Sequence, residues 1–86
     1  MSNADRRLRI LCISAIAEET FDWHPAHADV DTLLTGMGKV AAALSLTQRM
    51  LTDPVPDLVL NVGTAGTLQH AVGDILVCDH FFDCDL

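Results

Sequence analysis

Asp57-Leu58-Val59-Leu60-Asn61-Val62-Gly63-Thr64-Ala65-Gly66 is the stretch whose reading decides the fold. Residues 58–62 are an apolar run without the apolar-polar alternation of a strand wetted on one face. They suit a strand covered on both faces, as in a parallel sheet flanked by helices. In open α/β sheets ligands gather beyond the carboxyl ends of strands, so the glycine cluster at 61–67 falls where a pocket is expected. Its hydroxyls, Thr64 and Thr67, are candidates to bond a sugar or a water. The plainer alternative is an ordinary turn.

Working outward, residues 8–13 and 75–78 read as similar strands, the latter leading on to Phe81 and Phe82, and a shorter strand is expected at 32–34. Between that strand and the 58–62 run the spacing predicts a helix over 38–51, with Val40, Ala43, Leu44, Thr47 and Leu51 on one face. Pro54 and Pro56 end it. The order strand, loop, strand, helix, strand, turn, strand points to an α/β layer architecture. One helix cannot cover both faces of such a sheet. Residues 20–31, with Asp22, His24, Pro25, His27, Asp29 and Asp31, are too polar to supply the second cover. Packing therefore leads us to expect a further carboxy-terminal portion, with residues 1–86 a partial domain.

Half of the 86 residues are apolar but only 5% are aromatic, so the core must come from Leu, Val, Ile and Ala. A formal charge of −7 with five Lys and Arg leaves no basic stripe for a phosphate backbone, which argues against polymeric nucleic acid. Arg6, Arg7 and Arg9 precede an apolar run too short for a signal peptide or a membrane span, and no other stretch approaches the roughly 20 residues a spanning helix needs. A soluble, cytoplasmic protein is expected. Cys12, Cys78 and Cys84 are read as buried reduced thiols, without the paired spacing of a zinc site.

Three short stretches carry candidate chemistry. Thr35-Gly36-Met37-Gly38-Lys39-Val40-Ala41 sets glycines between a strand and a helix start, where free backbone N–H groups can meet a ligand. It is not a Walker A loop, because Leu33 stands where its first glycine belongs and Val40 where Ser or Thr should bind magnesium. Gly36, Gly38 and Ala41 match the loose dinucleotide fingerprint, yet the strand that should end in an acidic residue ends in Asn61, with Asp57 at its beginning. Glu18 and Glu19 follow the first strand at its carboxyl end. A carboxylate there, partly shielded from water, can have its pKa raised and act as a general base; the bland alternative is a solvated pair of acids. His24 and His27 flank Pro25 with no third ligand near, and His70 and His80 sit by acidic residues, so all four read as loop histidines and no metal is expected.

Taken in order, Ala15-Ile16-Ala17-Glu18-Glu19, Thr35-Gly36-Met37-Gly38-Lys39-Val40-Ala41-Ala42-Ala43, the 57–66 stretch and Val72-Gly73-Asp74-Ile75-Leu76-Val77 resemble successive blocks of the purine nucleoside phosphorylase and methylthioadenosine/S-adenosylhomocysteine nucleosidase family. The resemblance implies the amino-terminal part of a three-layer α/β fold with a mostly parallel central sheet. It implies cleavage of the bond between a purine and ribose, with Glu19 as the base that activates water. Ile16, Met37, Thr64, Ala65 and Gly66 would line the nucleoside site. No metal or organic cofactor is implied, and family members are homo-oligomers, dimers or larger.

Phosphorolysis needs a cation to hold phosphate, which hexameric purine phosphorylases and uridine phosphorylases supply as Arg two residues before the glycine of the third block. Asn61 stands there, favouring hydrolysis. The family's ribose-binding Met-Glu pair and the Asp that protonates the purine belong to later parts of the fold, so the 86 residues alone are expected to be inactive. A phosphorolytic enzyme, a dinucleotide-binding module and a non-catalytic remnant are the rival readings.

Overall fold

In a computed structural model the protein is described over residues 6–83; the expectation for Cys84 lies outside them. The elements are β1 (Leu8–Ser14), a 3₁₀ turn (Ala17–Glu19), β2 (Ala28–Leu34), α1 (Lys39–Met50) and β3 (Leu58–Asn61). All pairings are parallel and the strand order is β2-β1-β3. The expected α/β organisation with a parallel sheet is therefore present. The crossover through α1 carries the chain from β2 past β1 to β3, as a parallel pair demands.

β1 is the centre of the molecule. Ile10, Leu11, Cys12, Ile13 and Ser14 are all buried, and Ala28 of β2 joins them. Central placement gives β1 a ladder on each edge, and burial of five successive residues, which point alternately to opposite faces, means that both faces of the strand are covered, in keeping with its near-continuous apolar run. Burial also pushes the Cys12 thiol up from its ordinary value, as expected of a reduced core cysteine.

Charged staples hold the amino ends of the strands. The Arg7 guanidinium donates to Asp29 at 2.9 Å and to the carbonyls of Ala26 and Ala28 at 3.1 and 2.9 Å. Asp57 accepts from Arg6 and, at 2.8 Å, from the Arg9 backbone N–H, while its own N–H donates to the Arg9 carbonyl at 2.8 Å. These contacts hold the Asp57 carboxyl below its usual range, the Arg9 N–H bond being the largest cause and the Arg6 bond the next. Arg49, near the end of α1, reaches the carbonyls of Thr52 and Pro54.

Four expectations change. β2 begins at Ala28 rather than residue 32, because Asp29 and Asp31 can remain on the exposed edge where Arg7 and Arg49 meet them. Residues 75–78 form no strand; Val77 is 95% exposed. A strand exists only through a ladder with its neighbour, and the inter-strand pairings in the described residues end with β3. Cys78 is correspondingly exposed rather than buried.

The fourth change concerns α1. It turns Ala41, Ala42, Ser45, Leu46 and Arg49 inward, leaving the expected face open, with Leu44 62% exposed and Val40 and Leu51 exposed as well. Apolar residues lie on both sides of this helix, so periodicity alone does not choose the face. The Ser45 hydroxyl, donating to the Thr35 carbonyl at 3.2 Å, ties down the inward side. The radius of gyration, 15.0 Å, exceeds the about 12 Å of a compact chain of this length, in keeping with the open tail beyond β3. No helix among the described residues is long and apolar enough to cross a membrane.

Candidate functional site at the carboxyl edge of the sheet

Parallel register brings three strand ends to one edge: Ser14 pairs with Leu34, and Ile13 with Asn61. The ladders continue into the loops. Thr35 N–H donates to the Ser14 carbonyl at 2.9 Å, Gly36 N–H to Ala15 at 3.1 Å and Val62 N–H to Ile13 at 2.9 Å. The segment after β1 is thereby flanked by the glycine loop after β2 on one side and the loop after β3 on the other.

Glu19 closes the 3₁₀ turn, whose N–H groups bond back to Ile16 and Ala17. Its Oε2 accepts two hydrogen bonds from Thr64, one from the backbone N–H and one from the hydroxyl, both at 2.8 Å. Gly63 lies alongside this carboxylate, at a distance where a Cβ would make an ordinary contact of 3.5 Å with Oε2. The carboxyl is held below its ordinary value, chiefly by the Thr64 hydroxyl, then by the Thr64 N–H, against a smaller opposing effect of desolvation. The expected direction for a shielded base was upward. Two donors aimed at the ionised form outweigh the slight shielding, so Glu19 is a carboxylate at neutral pH and a weaker base than an ordinary glutamate.

Thr64 is thus engaged by Glu19, whereas its hydroxyl was expected to meet a sugar or water. Thr67 Oγ1 accepts from the Gln69 N–H at 3.1 Å. Thr64, Ala65 and Gly66 line an open groove of about 1470 Å³, with Phe21 on another part of its wall. Ile16 caps the Glu19 turn and is 39% exposed. Met37, 79% exposed, sits in the glycine loop on the same edge. Of the six expected site residues, direct contact joins Glu19 with Thr64; Gly63 and Phe21 are additions. Only the glycine directly after the β3 run hinted at so close an approach.

Gly36 and Gly38 have φ of 81° and 94°, a region costly for residues with a Cβ. Gly38 caps α1, and a Cβ there would meet nothing within 4 Å. Open space therefore lies beside the helix start, as in an α/β ligand loop. Asp57, stapled at the amino end of β3, lies at the wrong end of the strand to serve a dinucleotide ribose. Among the described residues no three His, Cys, Asp or Glu side chains gather as a metal site.

An open parallel sheet with a crossover helix and glycine loops at its carboxyl edge defines the class as an α/β domain, a class in which ligands gather at that edge. Residues 28–86 match the phosphorylase superfamily, and the chain belongs to that family. The match begins at β2, so β1 and the Glu19 turn precede it. The chain is also similar to 5'-methylthioadenosine/S-adenosylhomocysteine nucleosidases. It is 45% identical over 51 residues to that of Staphylococcus carnosus (strain TM300), covering 57% of this chain and 22% of the relative. It is 44% identical over 62 residues to that of Haemophilus influenzae (strain PittEE), covering 67% and 27%. The chain thus spans about a quarter of the length of these relatives. No solved structure matches it significantly.

Proposed function

We propose that this chain is the amino-terminal part of an enzyme that hydrolyses the N-glycosidic bond of a purine nucleoside of the methylthioadenosine or S-adenosylhomocysteine type. The observation that carries the reading is the ionised Glu19 carboxylate held at the carboxyl edge of a phosphorylase-superfamily sheet. The names of the two relatives supply the substrate class. Glu19 takes a proton from water as the water oxygen bonds to the anomeric carbon. The bond from that carbon to the purine nitrogen breaks, and its electron pair leaves with the base, which an acid protonates. Ile16, Met37, Thr64, Ala65 and Gly66 border the nucleoside, and no cofactor is required.

Hydrolysis is favoured over phosphorolysis by the disposition of charge. Arg6, Arg7 and Arg9 lie at the amino end of β1 and Arg49 near the end of α1, while Lys39, at the carboxyl edge, pairs with Asp83 at 3.0 Å. Asn61 at the end of β3 cannot clamp phosphate with charge. In this reading the ribose clamp and the purine acid come from residues of the longer enzyme, which is a cytoplasmic homo-oligomer.

The test is an adenine-release assay on methylthioadenosine, run without and with phosphate, for the 86-residue chain and for the longest natural protein that carries it. The long protein is expected to act without phosphate, to lose about 10²–10⁴-fold of kcat/KM in Glu19→Gln, and the short chain to be silent. Strict dependence on phosphate would replace hydrolysis by phosphorolysis; silence of the long protein in both conditions would sink the enzyme reading.

A further inference from the structure

Both Thr64 donors converge on one oxygen of Glu19, and that asymmetry carries a consequence for the base. An ionised carboxylate has two oxygens able to take a proton. Oε2 is engaged twice at 2.8 Å, and its lone pairs point at the β3 loop. Resting on the base reading above, we infer that Thr64 is the positioning residue of Glu19, holding Oε2 so that Oε1 is the oxygen presented to the attacking water. A lone pair of the water oxygen bonds to the anomeric carbon as the bond from that carbon to the purine nitrogen breaks, while the water proton passes to Oε1 and the electron pair of the broken O–H bond remains on the water oxygen. Thr64 itself stays bonded to Oε2 throughout.

The lowering of the Glu19 carboxyl by its Thr64 bonds accords with this, and no charged neighbour contributes to it. Glu18 is the titratable neighbour on the same turn, and residues 62–67 of the facing loop include no titratable side chain. The two Thr64 bonds are the largest causes of the lowering, with smaller ones from the backbone N–H groups of Ala15 and Ile16, so the pH response of Glu19 is chiefly a reading of its bonds to Thr64.

Thr64→Val keeps the shape and the backbone N–H but removes the hydroxyl; Thr64→Ser keeps both donors. Carboxyl carbon NMR of Glu19 in the 86-residue chain reads the bond without any need for activity. Glu19 is expected to titrate at higher pH in Thr64→Val than in wild type and as wild type in Thr64→Ser. In the long enzyme the acid limb of kcat/KM should move upward in Thr64→Val, with kcat reduced on the order of 10- to 100-fold, KM little changed, and Thr64→Ser restoring both. Identical Glu19 titration in wild type and Thr64→Val overturns the positioning role whatever the activity. A fully active Glu19→Gln enzyme overturns the base reading instead, and the proton route through Oε1 with it.

Discussion

Thr64, 45 residues away from Glu19 in the chain, donates to a single oxygen of its carboxylate from both backbone and side chain. This bridge joins the loop after the central strand to the loop after its neighbour, closing the carboxyl edge on that side. It is a contact between ionised acceptor and neutral donors, the stronger kind of hydrogen bond.

Acid should open the bridge. A carboxyl whose folded pKa is depressed contributes stability that is fully present above its unfolded value and is lost as pH falls through the lower folded value. Protection of the Thr64 amide, its exchange rate relative to that of a free amide at the same pH, should therefore hold at neutral pH and through the ordinary carboxylate range, and fall only below it. In Glu19→Ala the amide should lack this protection at every pH. Equal protection in the variant and wild type would count against the bridge in solution.

Asp57→Ala removes the acceptor for Arg6 and for the Arg9 N–H. The urea midpoint should fall at pH 7 and the difference from wild type should shrink as pH drops through the depressed Asp57 value, since protonated Asp57 has already lost its charge-assisted bonds. A constant difference between pH 7 and pH 2 would show that the staple is not electrostatic.

Leu11 is 1% exposed in the central strand, and Leu11→Ala should cost about 2–5 kcal/mol through lost burial and the void left behind. In the same 86-residue chain Leu44→Ala, on the open face of α1, should stay within about 0.5 kcal/mol of wild type. Urea unfolding of both variants checks the pair, and a large loss at Leu44 would mean that the expected face of the helix is the buried one after all.

Gly38→Ala should destabilise the chain by about 1–3 kcal/mol, because φ of 94° with ψ of 156° is a conformation essentially restricted to glycine. The space around the position is open, so the loss comes from backbone strain alone. Chemical denaturation measures it, and an unchanged midpoint would indicate that the loop adopts another conformation.

Much of this molecule is legible in local sequence. β1, β3 and α1 lie within a residue or two of their expected ends, because an uninterrupted apolar run, a glycine before a helical period and prolines after it are all local signals. The shared edge holding Glu19, the glycine loop and residues 62–67 follows once the strands are parallel. Harder to read were the buried face of α1, where Ala41 and Leu46 compete with Val40 and Leu44, and the tail at 75–78, where an apolar run lacks a ladder.

The sequence by itself determined that the chain is α/β, where β1, α1 and β3 lie, and that two glycine clusters and one acidic pair follow strand ends. Tertiary structure alone decided that Thr64 is the partner of Glu19, that Asp57 staples the opposite end, and that Glu19 is more acidic than an ordinary carboxyl rather than less. The reason is that a hydrogen-bond partner 45 residues distant is chosen by the register of β1 against β3. That register reflects the summed pairing and burial of whole strands, whereas a pKa depends on the few donors that this register happens to bring within reach.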